Sequence, residues 1–96
     1  MYKFEAKGTV EEIAPEELVT FRNGQEGAKR ELVVREDAEK NPGHLVLEFW
    51  DRDVEKLDNI RPGDFVGVRF GIKCLPCGKR RLPHLRGLSV WLEEGE

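Results

Sequence analysis

The chain contains one serine, two cysteines and no long apolar segment, and each shortage excludes a class of protein. The serine, Ser89, falls in a predicted strand without a histidine partner, and no glycine-rich phosphate loop is present. Two cysteines are too few for a disulfide framework. No apolar run approaches the ~20 residues that span a bilayer, and the start of the chain lacks the apolar region of a signal peptide. We therefore expect a cytoplasmic protein that is not an enzyme, does not engage membranes and keeps its thiols reduced.

The length of 96 residues predicts one domain, residues 1–96, with a single modest core. Charged residues make up 36% of the chain and aromatic residues 8%, which is typical of a folded globular protein rather than a disordered one. Such a domain has room for a binding face but little room for a deep enzyme cleft.

Charge is divided unevenly along the chain. The segment from Arg69 to Leu92 carries six basic residues and no acidic ones. Residues 1–68, in contrast, carry ten Lys and Arg against sixteen Asp and Glu. The formal net charge of −3 conceals this division, which predicts that one side of the domain meets a polyanion.

Alternation of apolar and polar residues predicts five strands. The first runs from Tyr2 to about Glu11, and Gly8 in its middle indicates a bend or bulge. Asn23, Gly24 and Gly27 predict a mobile connection after it. The remaining predicted strands are Ala28–Glu36, Leu45–Trp50, Phe65–Cys74 and Leu85–Leu92.

A short helix is predicted between the third and fourth strands, with Asp51 as its N-cap and Val54 and Leu57 on its apolar stripe. In the fifth strand, simple alternation places Leu88, Val90 and Leu92 in the core, and Leu85, Gly87, Ser89 and Trp91 outside.

This order of elements predicts an all-β fold, a five-stranded OB-fold Greek-key barrel with one short helix between strands 3 and 4. An SH3-like barrel with an inserted helix has the same order of elements. The long, bent first strand favours the OB-fold, in which closure of the sheet removes exposed edges.

Several short motifs resemble a small bacterial OB-fold family of unassigned function that is itself similar to single-stranded DNA-binding proteins. The resemblance implies an OB-fold and suggests nucleic-acid binding. The link Cys74–Lys79 departs from the plain polar hairpin expected of that family. The motifs that carry the resemblance are Gly8-Thr9-Val10, Glu31-Leu32-Val33-Val34, Leu47-Glu48-Phe49-Trp50-Asp51, the run from Ile60 to Phe70, and Leu88-Ser89-Val90-Trp91.

The basic residues of the last third are the candidate phosphate contacts. On an OB-fold the link between strands 4 and 5, here Leu75–Pro83, overhangs the face that binds oligonucleotides. The candidates in this link and its two strands are Arg69, Lys73, Lys79, Arg80, Arg81 and Arg86. A solvated basic loop, or one that docks on an acidic partner protein, fits the same residues.

Exposed aromatic rings are the second mark of single-strand binding. Trp50 and Trp91 fall on the outward faces of their strands, and Phe21 lies in the first connection. Trp50 and Phe21 are the predicted base-stacking residues, and a dimer interface or packing under the helix or a loop fits Trp50 equally well. Trp91 is a candidate for packing or for a homodimer interface, since Trp is also enriched at interfaces. Two acidic residues, Glu31 and Glu48, lie on the strands that would line the groove.

The pair Cys74 and Cys77, followed by Gly78, has the spacing of a zinc knuckle. His84 is the nearby third ligand candidate, and a second subunit would complete a four-thiolate site. The same spacing fits a redox dithiol or two inert thiols, so zinc is a possible cofactor and no other is expected.

These observations together predict a protein that binds single-stranded nucleic acid, DNA in preference to RNA, weakly and with little sequence preference. A homodimer would double the binding track. The alternative is a protein-interaction OB module whose basic loop docks an acidic partner, and a more distant one is a metal-stabilised structural domain.

Overall fold

The computed structural model describes residues 2–38, 40–77 and 80–93, without the side chains of 75–77 and 80–81. In the described ranges, no helix has the length and apolar character needed to cross a membrane. A 3₁₀ helix covers Asp51–Leu57. The strands are β1 (Tyr2–Ile13), β2 (Glu17–Thr20), β3 (Glu26–Arg35), β4 (His44–Trp50), β5 (Phe65–Cys77) and β6 (Arg80–Leu92).

Five of the strands form a closed ring in the order β1, β5, β6, β4, β3 and back to β1. All neighbours in the ring are antiparallel except β4 and β6, which meet in parallel where Glu48 is paired with Arg86. This is the five-stranded barrel of the OB-fold, with the short helix between the third and fourth strands of the ring. The predicted fold class is therefore confirmed.

The short strand β2 was not predicted. It pairs with β3 outside the ring, and it lies in the segment that the sequence indicated as a mobile connection. Its four residues, Glu-Leu-Val-Thr, do not alternate between polar and apolar, so the sequence carries no strand pattern there.

Strand β1 closes the ring by changing partner at Thr9, which is paired with Phe65 of β5 on one side and Arg35 of β3 on the other. The preceding Gly8 allows this crossing, since a Cβ there would lie 2.4 Å from the carbonyl oxygen of Arg35. A bulge follows between Val10 and Glu12. The bend predicted at Gly8 is thus realised as a close strand approach and a bulge just after it.

The core fills the ring and is entirely apolar among the described residues. Burying one such side chain contributes roughly 1.5–3 kcal/mol. The helix segment contributes Leu57 and Ile60, which pack against the interior of the barrel. The largest fully buried side chains are Phe49, Leu32, Leu47, Leu57, Val10, Val34, Val66 and Val68.

The predicted N-cap role of Asp51 is wrong. Trp50 is the N-cap residue and makes no side-chain capping bond. Asp51 adopts a φ of 52°, and its carboxylate accepts a hydrogen bond of 3.1 Å from the backbone N–H of Ala28 on β3. The helix begins directly at the end of β4, and this carboxylate bonds to the neighbouring strand instead of capping the helix.

The predicted Leu75–Pro83 loop is also wrong, because most of it is paired. Strands β5 and β6 continue as a two-stranded ribbon in which Cys74 is paired with Pro83 and Cys77 with Arg80. Alternation ends the fourth predicted strand at Cys74 and begins the fifth at Leu85, which leaves this segment as a link. Beyond the ring, however, each ribbon strand has an open edge, and edge strands are where sheets tolerate proline.

A bulge in β6 reverses the faces predicted for its first half. Arg69 is paired with Ser89 and Phe70 with Gly87, so Leu88 is the extra residue. Leu85 consequently packs against the core, and Gly87 is buried where a Cβ would lie 2.3 Å from the Phe49 ring.

The predicted outward positions of Leu85 and Gly87 are therefore wrong, and Leu92, predicted inside, is 59% exposed. The alternation prediction fails for Leu85 and Gly87 because it assumed an unbroken strand. Leu92 lies beyond the bulge and is the last residue of β6. The same change of face turns Arg86 and His84 outward.

Candidate nucleic-acid interface

A cleft of about 410 Å³ lies on the outer face of β4, between the β2–β3 hairpin on one side and the β5–β6 ribbon on the other. In an OB-fold this face, bordered by these two connections, is the one used for oligonucleotides. The cleft is lined by Glu17, Val19, Phe21, Lys29, Glu48, Trp50, Asp51, Lys73, His84 and Arg86.

Phe21 and Trp50 form an aromatic pair at one end of the cleft. Their ring centroids are 5.7 Å apart, with an interplanar angle of 32°. A turn holds Phe21 in place through hydrogen bonds from its own N–H to the Gln25 carbonyl and from the Gly24 N–H to its carbonyl. Gly27 leaves the space that the rings occupy, since a Cβ there would lie 2.9 Å from Phe21 and 3.4 Å from Trp50. Phe21 remains 44% exposed and available for stacking.

Lys29 was not among the phosphate contacts predicted from the sequence, although it lines the cleft. It is paired with Trp50 across β3 and β4, and Lys29 Nζ lies 5.9 Å from the Trp50 ring centroid, within reach of a cation–π contact. The sequence showed that Lys29 and Trp50 both face outward, but only the register of β3 on β4 shows that they are neighbours.

Lys73 and Arg86 reach the cleft from the ribbon. Lys73 is paired with His84 and Gly71 with Arg86, so these side chains share the cleft face of the β5–β6 pair. The ion pairs found within the described part of the chain do not involve Lys29, Lys73 or Arg86. Three cations thus face the cleft without a carboxylate of the described residues within ion-pair distance.

Glu48 lies deeper in the cleft, with a side chain that is 16% exposed. Its Oε1 accepts a hydrogen bond of 3.4 Å from Trp50 Nε1, and its Oε2 lies 3.2 Å from His84 Nδ1. A carboxylate can only accept, so the hydrogen belongs to His84 Nδ1. The sequence indicated Glu48 as an acid that would oppose an anionic ligand. The structure shows that it also orients the indole and imidazole rings that flank it.

Arg69 does not reach the cleft. It is paired with Glu5 across β1 and β5, and its Nε lies 3.7 Å from Glu5 Oε1 on an exposed face. Lys79 lies outside the described residues. Arg80 and Arg81 are placed by their backbone at the far end of the ribbon, and their side chains are outside the described set. Of the six predicted basic contacts, the structure therefore brings Lys73 and Arg86 together with Trp50 and Phe21.

Trp91 lies on a different face. Its ring covers Gly67, its cross-strand partner, where a Cβ would lie 2.4 Å from the indole Cε2. Trp91 Nε1 donates a hydrogen bond of 2.6 Å to Glu93 Oε1, and Glu93 Oε2 lies 3.7 Å from Lys7 Nζ. The packing role is thus present, and the homodimer interface stays a prediction.

The predicted metal ligands are only partly described. Cys74 is an exposed free thiol, and the side chain of Cys77 lies outside the described residues. His84 faces the cleft with Lys73, whereas Cys74, the next residue along β5, faces the opposite side of the ribbon. The side chains that the structure describes contain no group of three or more metal-binding residues. Zinc binding stays a prediction.

The fold is similar to that of several solved structures. A replication factor A related protein from Methanobacterium thermoautotrophicum matches with a TM-score of 0.68 and 21% identity, over 97% of this chain and 82% of that one. The second OB-fold domain of replication protein A from Methanococcus maripaludis matches with a TM-score of 0.67 and 15% identity, over 99% and 87%. The mitochondrial single-stranded DNA-binding protein Rim1 from S. cerevisiae matches with a TM-score of 0.65 and 12% identity, over 99% and 98%.

At these identities the likeness shows the OB-fold alone. No protein of curated function matches this sequence. Residues 5–79 match the family model described as a domain of unknown function, DUF3127. The resemblance to an OB-fold family of unassigned function is thereby confirmed, and the chain belongs to the DUF3127 family.

Proposed function

We propose that this protein binds single-stranded nucleic acid in the cleft on the outer face of β4, with DNA favoured over RNA and with low sequence specificity. One observation carries the proposal. Two aromatic rings, Phe21 and Trp50, and two cations, Lys73 and Arg86, come from four separate parts of the chain and line the same cleft. Stacking rings beside exposed cations are the combination that single-strand binding proteins use.

The two kinds of side chain suit the two parts of a nucleotide. Bases stack on aromatic rings, at roughly 1–3 kcal/mol per base, and this contact tolerates any base because each has a π-face. Lysine and arginine neutralise phosphates and release counterions, which also carries no sequence information. One aromatic pair and three cations engage only a few nucleotides, so binding to one cleft is expected to be weak.

The preference for DNA rests on analogy with the structural neighbours. One of them is described as a mitochondrial single-stranded DNA-binding protein, and two others are described as replication protein A or a related factor. The low identities limit this support to the fold, so the cleft itself carries the larger part of the proposal.

Titration of a labelled oligo-dT of about fifteen nucleotides, followed by anisotropy and tryptophan fluorescence, tests the proposal. With three phosphate contacts, log K should fall against log salt with a slope of about −2 for a single strand. Tryptophan fluorescence should be quenched as Trp50 stacks. An RNA of the same length and sequence should bind more weakly.

Absence of binding at low salt would contradict the proposal and leave the protein-interaction module as the remaining function. Equal affinity for the DNA and RNA strands would contradict only the DNA preference.

A further inference from the structure

We propose that Glu48 gives the cleft a base preference, favouring bases that carry an exocyclic amino group, such as cytosine, over thymine and uracil. This inference rests on the proposed function, since it concerns which base occupies the cleft. It is a modest bias added to binding that stacking and phosphate contacts otherwise make insensitive to sequence.

Glu48 is positioned next to the aromatic pair. Glu48 lies beside the Trp50 ring, because its Oε1 accepts from the indole Nε1 at 3.4 Å. A base that stacks on the Phe21–Trp50 pair therefore brings its edge towards this carboxylate. Lys73 and Arg86 are exposed in the same cleft and would contact the phosphates, and Arg86 is the cross-strand partner of Glu48.

The carboxylate of Glu48 is held in one orientation. The contacts with Trp50 and His84 hold one carboxylate oxygen each, and the side chain is only 16% exposed. An ionised carboxylate has about four lone-pair positions, so about two remain for a ligand. A fixed, partly desolvated acceptor discriminates better than a mobile surface carboxylate, because it cannot turn away from an unsuitable group.

Cytosine and thymine differ in the group that they would present to this carboxylate. Cytosine presents an N4 amino group that donates to Glu or Asp, whereas thymine presents its O4 carbonyl at the same position. Single-stranded bases expose this edge to the protein. A carboxylate facing cytosine gains a charge-assisted hydrogen bond, and a carboxylate facing thymine or uracil meets a second acceptor.

Comparison of oligo-dC, oligo-dT and oligo-dU of equal length tests the inference, at a slightly alkaline pH that keeps cytosine neutral. We expect oligo-dC to bind about tenfold more tightly than oligo-dT, within the range known for base discrimination by a single residue. Oligo-dU should behave like oligo-dT, because the thymine methyl group is not the cause of the preference.

The variant Glu48→Gln keeps the size of the side chain but offers both a donor and an acceptor. It should bind oligo-dT and oligo-dU more tightly, because a negative charge is lost and the amide can donate to their carbonyl oxygen, and the ratio of oligo-dC to oligo-dT affinity should fall to near one.

Glu31→Gln is the matched control. Glu31 is paired with Glu48 across β3 and β4 but does not line the cleft. Its replacement should raise the affinity for every oligonucleotide by a similar factor and leave the ratio unchanged.

Salt-dependent binding with equal affinities for oligo-dC and oligo-dT would overturn the inference and leave the proposed function standing. The same holds if Glu48→Gln leaves the ratio unchanged, or if Glu31→Gln changes it as much as Glu48→Gln does. Absence of binding to all three oligonucleotides would overturn the proposed function and this inference with it.

Discussion

The two tryptophans of this protein both lie on the outer surface of the barrel, but their surroundings differ. Trp91 covers the backbone of Gly67, and the nearby lysine, Lys7, is paired with Glu93, which also accepts the indole hydrogen. Trp50 lies in a cleft beside Phe21 and near Lys29, a cation for which no ion pair is found among the described residues. Beside Trp91 the lysine is paired with a carboxylate. Beside Trp50 the ammonium group of Lys29 has no carboxylate within ion-pair distance among the described residues.

This difference teaches that an outward-facing tryptophan does not by itself indicate a binding site. What distinguishes the two faces is whether a carboxylate lies within ion-pair distance of the local cations. Glu17, Glu48 and Asp51 also line the cleft, but among the described residues none forms an ion pair with its lysines or arginine. Arg69 and Glu5, which lie 3.7 Å apart on the β1–β5 face, follow the pattern of the Trp91 face. Binding of a polyanion is favoured by positive charge that the protein has not already neutralised.

The largest effect is expected from reversing two of the positive charges in the cleft. The double variant Lys73→Glu and Arg86→Glu should lower the affinity for oligo-dT by about 100-fold at low salt, because two phosphate contacts become repulsions. The slope of log K against log salt should become shallower by about 1.4, or 0.7 for each lost contact. Anisotropy titrations at several salt concentrations measure both quantities.

Arg69→Glu is the control for that double variant, since it reverses a cation of the same segment outside the cleft. Its effect on affinity should be within about twofold, as for other exposed, locally paired charges. A loss as large as that of the double variant would show that the binding track follows the β1–β5 face instead.

A smaller effect should come from the rings themselves. Trp50→Ala should weaken oligonucleotide binding by about tenfold, the lower part of the range for one stacked base, whereas Trp91→Ala should leave it unchanged. The variants Trp50→Phe and Trp91→Phe separate the two fluorescence signals. Quenching on binding should persist when Trp50 is the remaining tryptophan and disappear when Trp91 is; the reverse pattern would place the ligand on the wrong face.

The smallest expected effect concerns the packing of Trp91. Gly67→Ala would place a Cβ 2.4 Å from the indole, so the ring must move off the strand. We expect the free energy of unfolding to fall by about 1 kcal/mol, with a melting temperature lower by about 4–8 °C. Oligonucleotide affinity should be unaffected, because the displaced ring is not in the cleft.

Gly43→Ala provides the comparison for that stability measurement, since its added Cβ would meet nothing closer than 3.6 Å. It should leave the melting temperature nearly unchanged. An equal loss of stability in both variants would mean that the loss does not come from displacing Trp91.

The sequence predicted the ring well because ring strands bury one face, and burial imposes a two-residue alternation. Val66 and Val68 in β5, and Leu47 and Phe49 in β4, follow this rule and are fully buried. Strand β2 lies outside the ring and buries little, so its sequence does not alternate and gave no strand pattern. The ribbon beyond the ring was mistaken for a loop for a related reason, since only strand pairing holds it and no core pattern marks it.

The candidate site was predicted in part. Trp50, Phe21, Lys73 and Arg86 were named, but their convergence depends on features that are not local. Simple alternation would have turned Arg86 towards the core, and the bulge at Leu88 turns it outward. Lys29 was overlooked because its nearness to Trp50 depends on the register of β3 on β4.

By itself, the sequence determined the all-β class, the order of the ring strands and the short helix along the chain, and the concentration of positive charge in the last third of the chain. These follow from periodicity and composition, which act within a strand. The tertiary structure alone decided which cations face an aromatic pair and which are neutralised by carboxylates. That choice depends on strand register and on one inserted residue, and neither has a signature in local sequence because both are settled by how strands pair across the barrel.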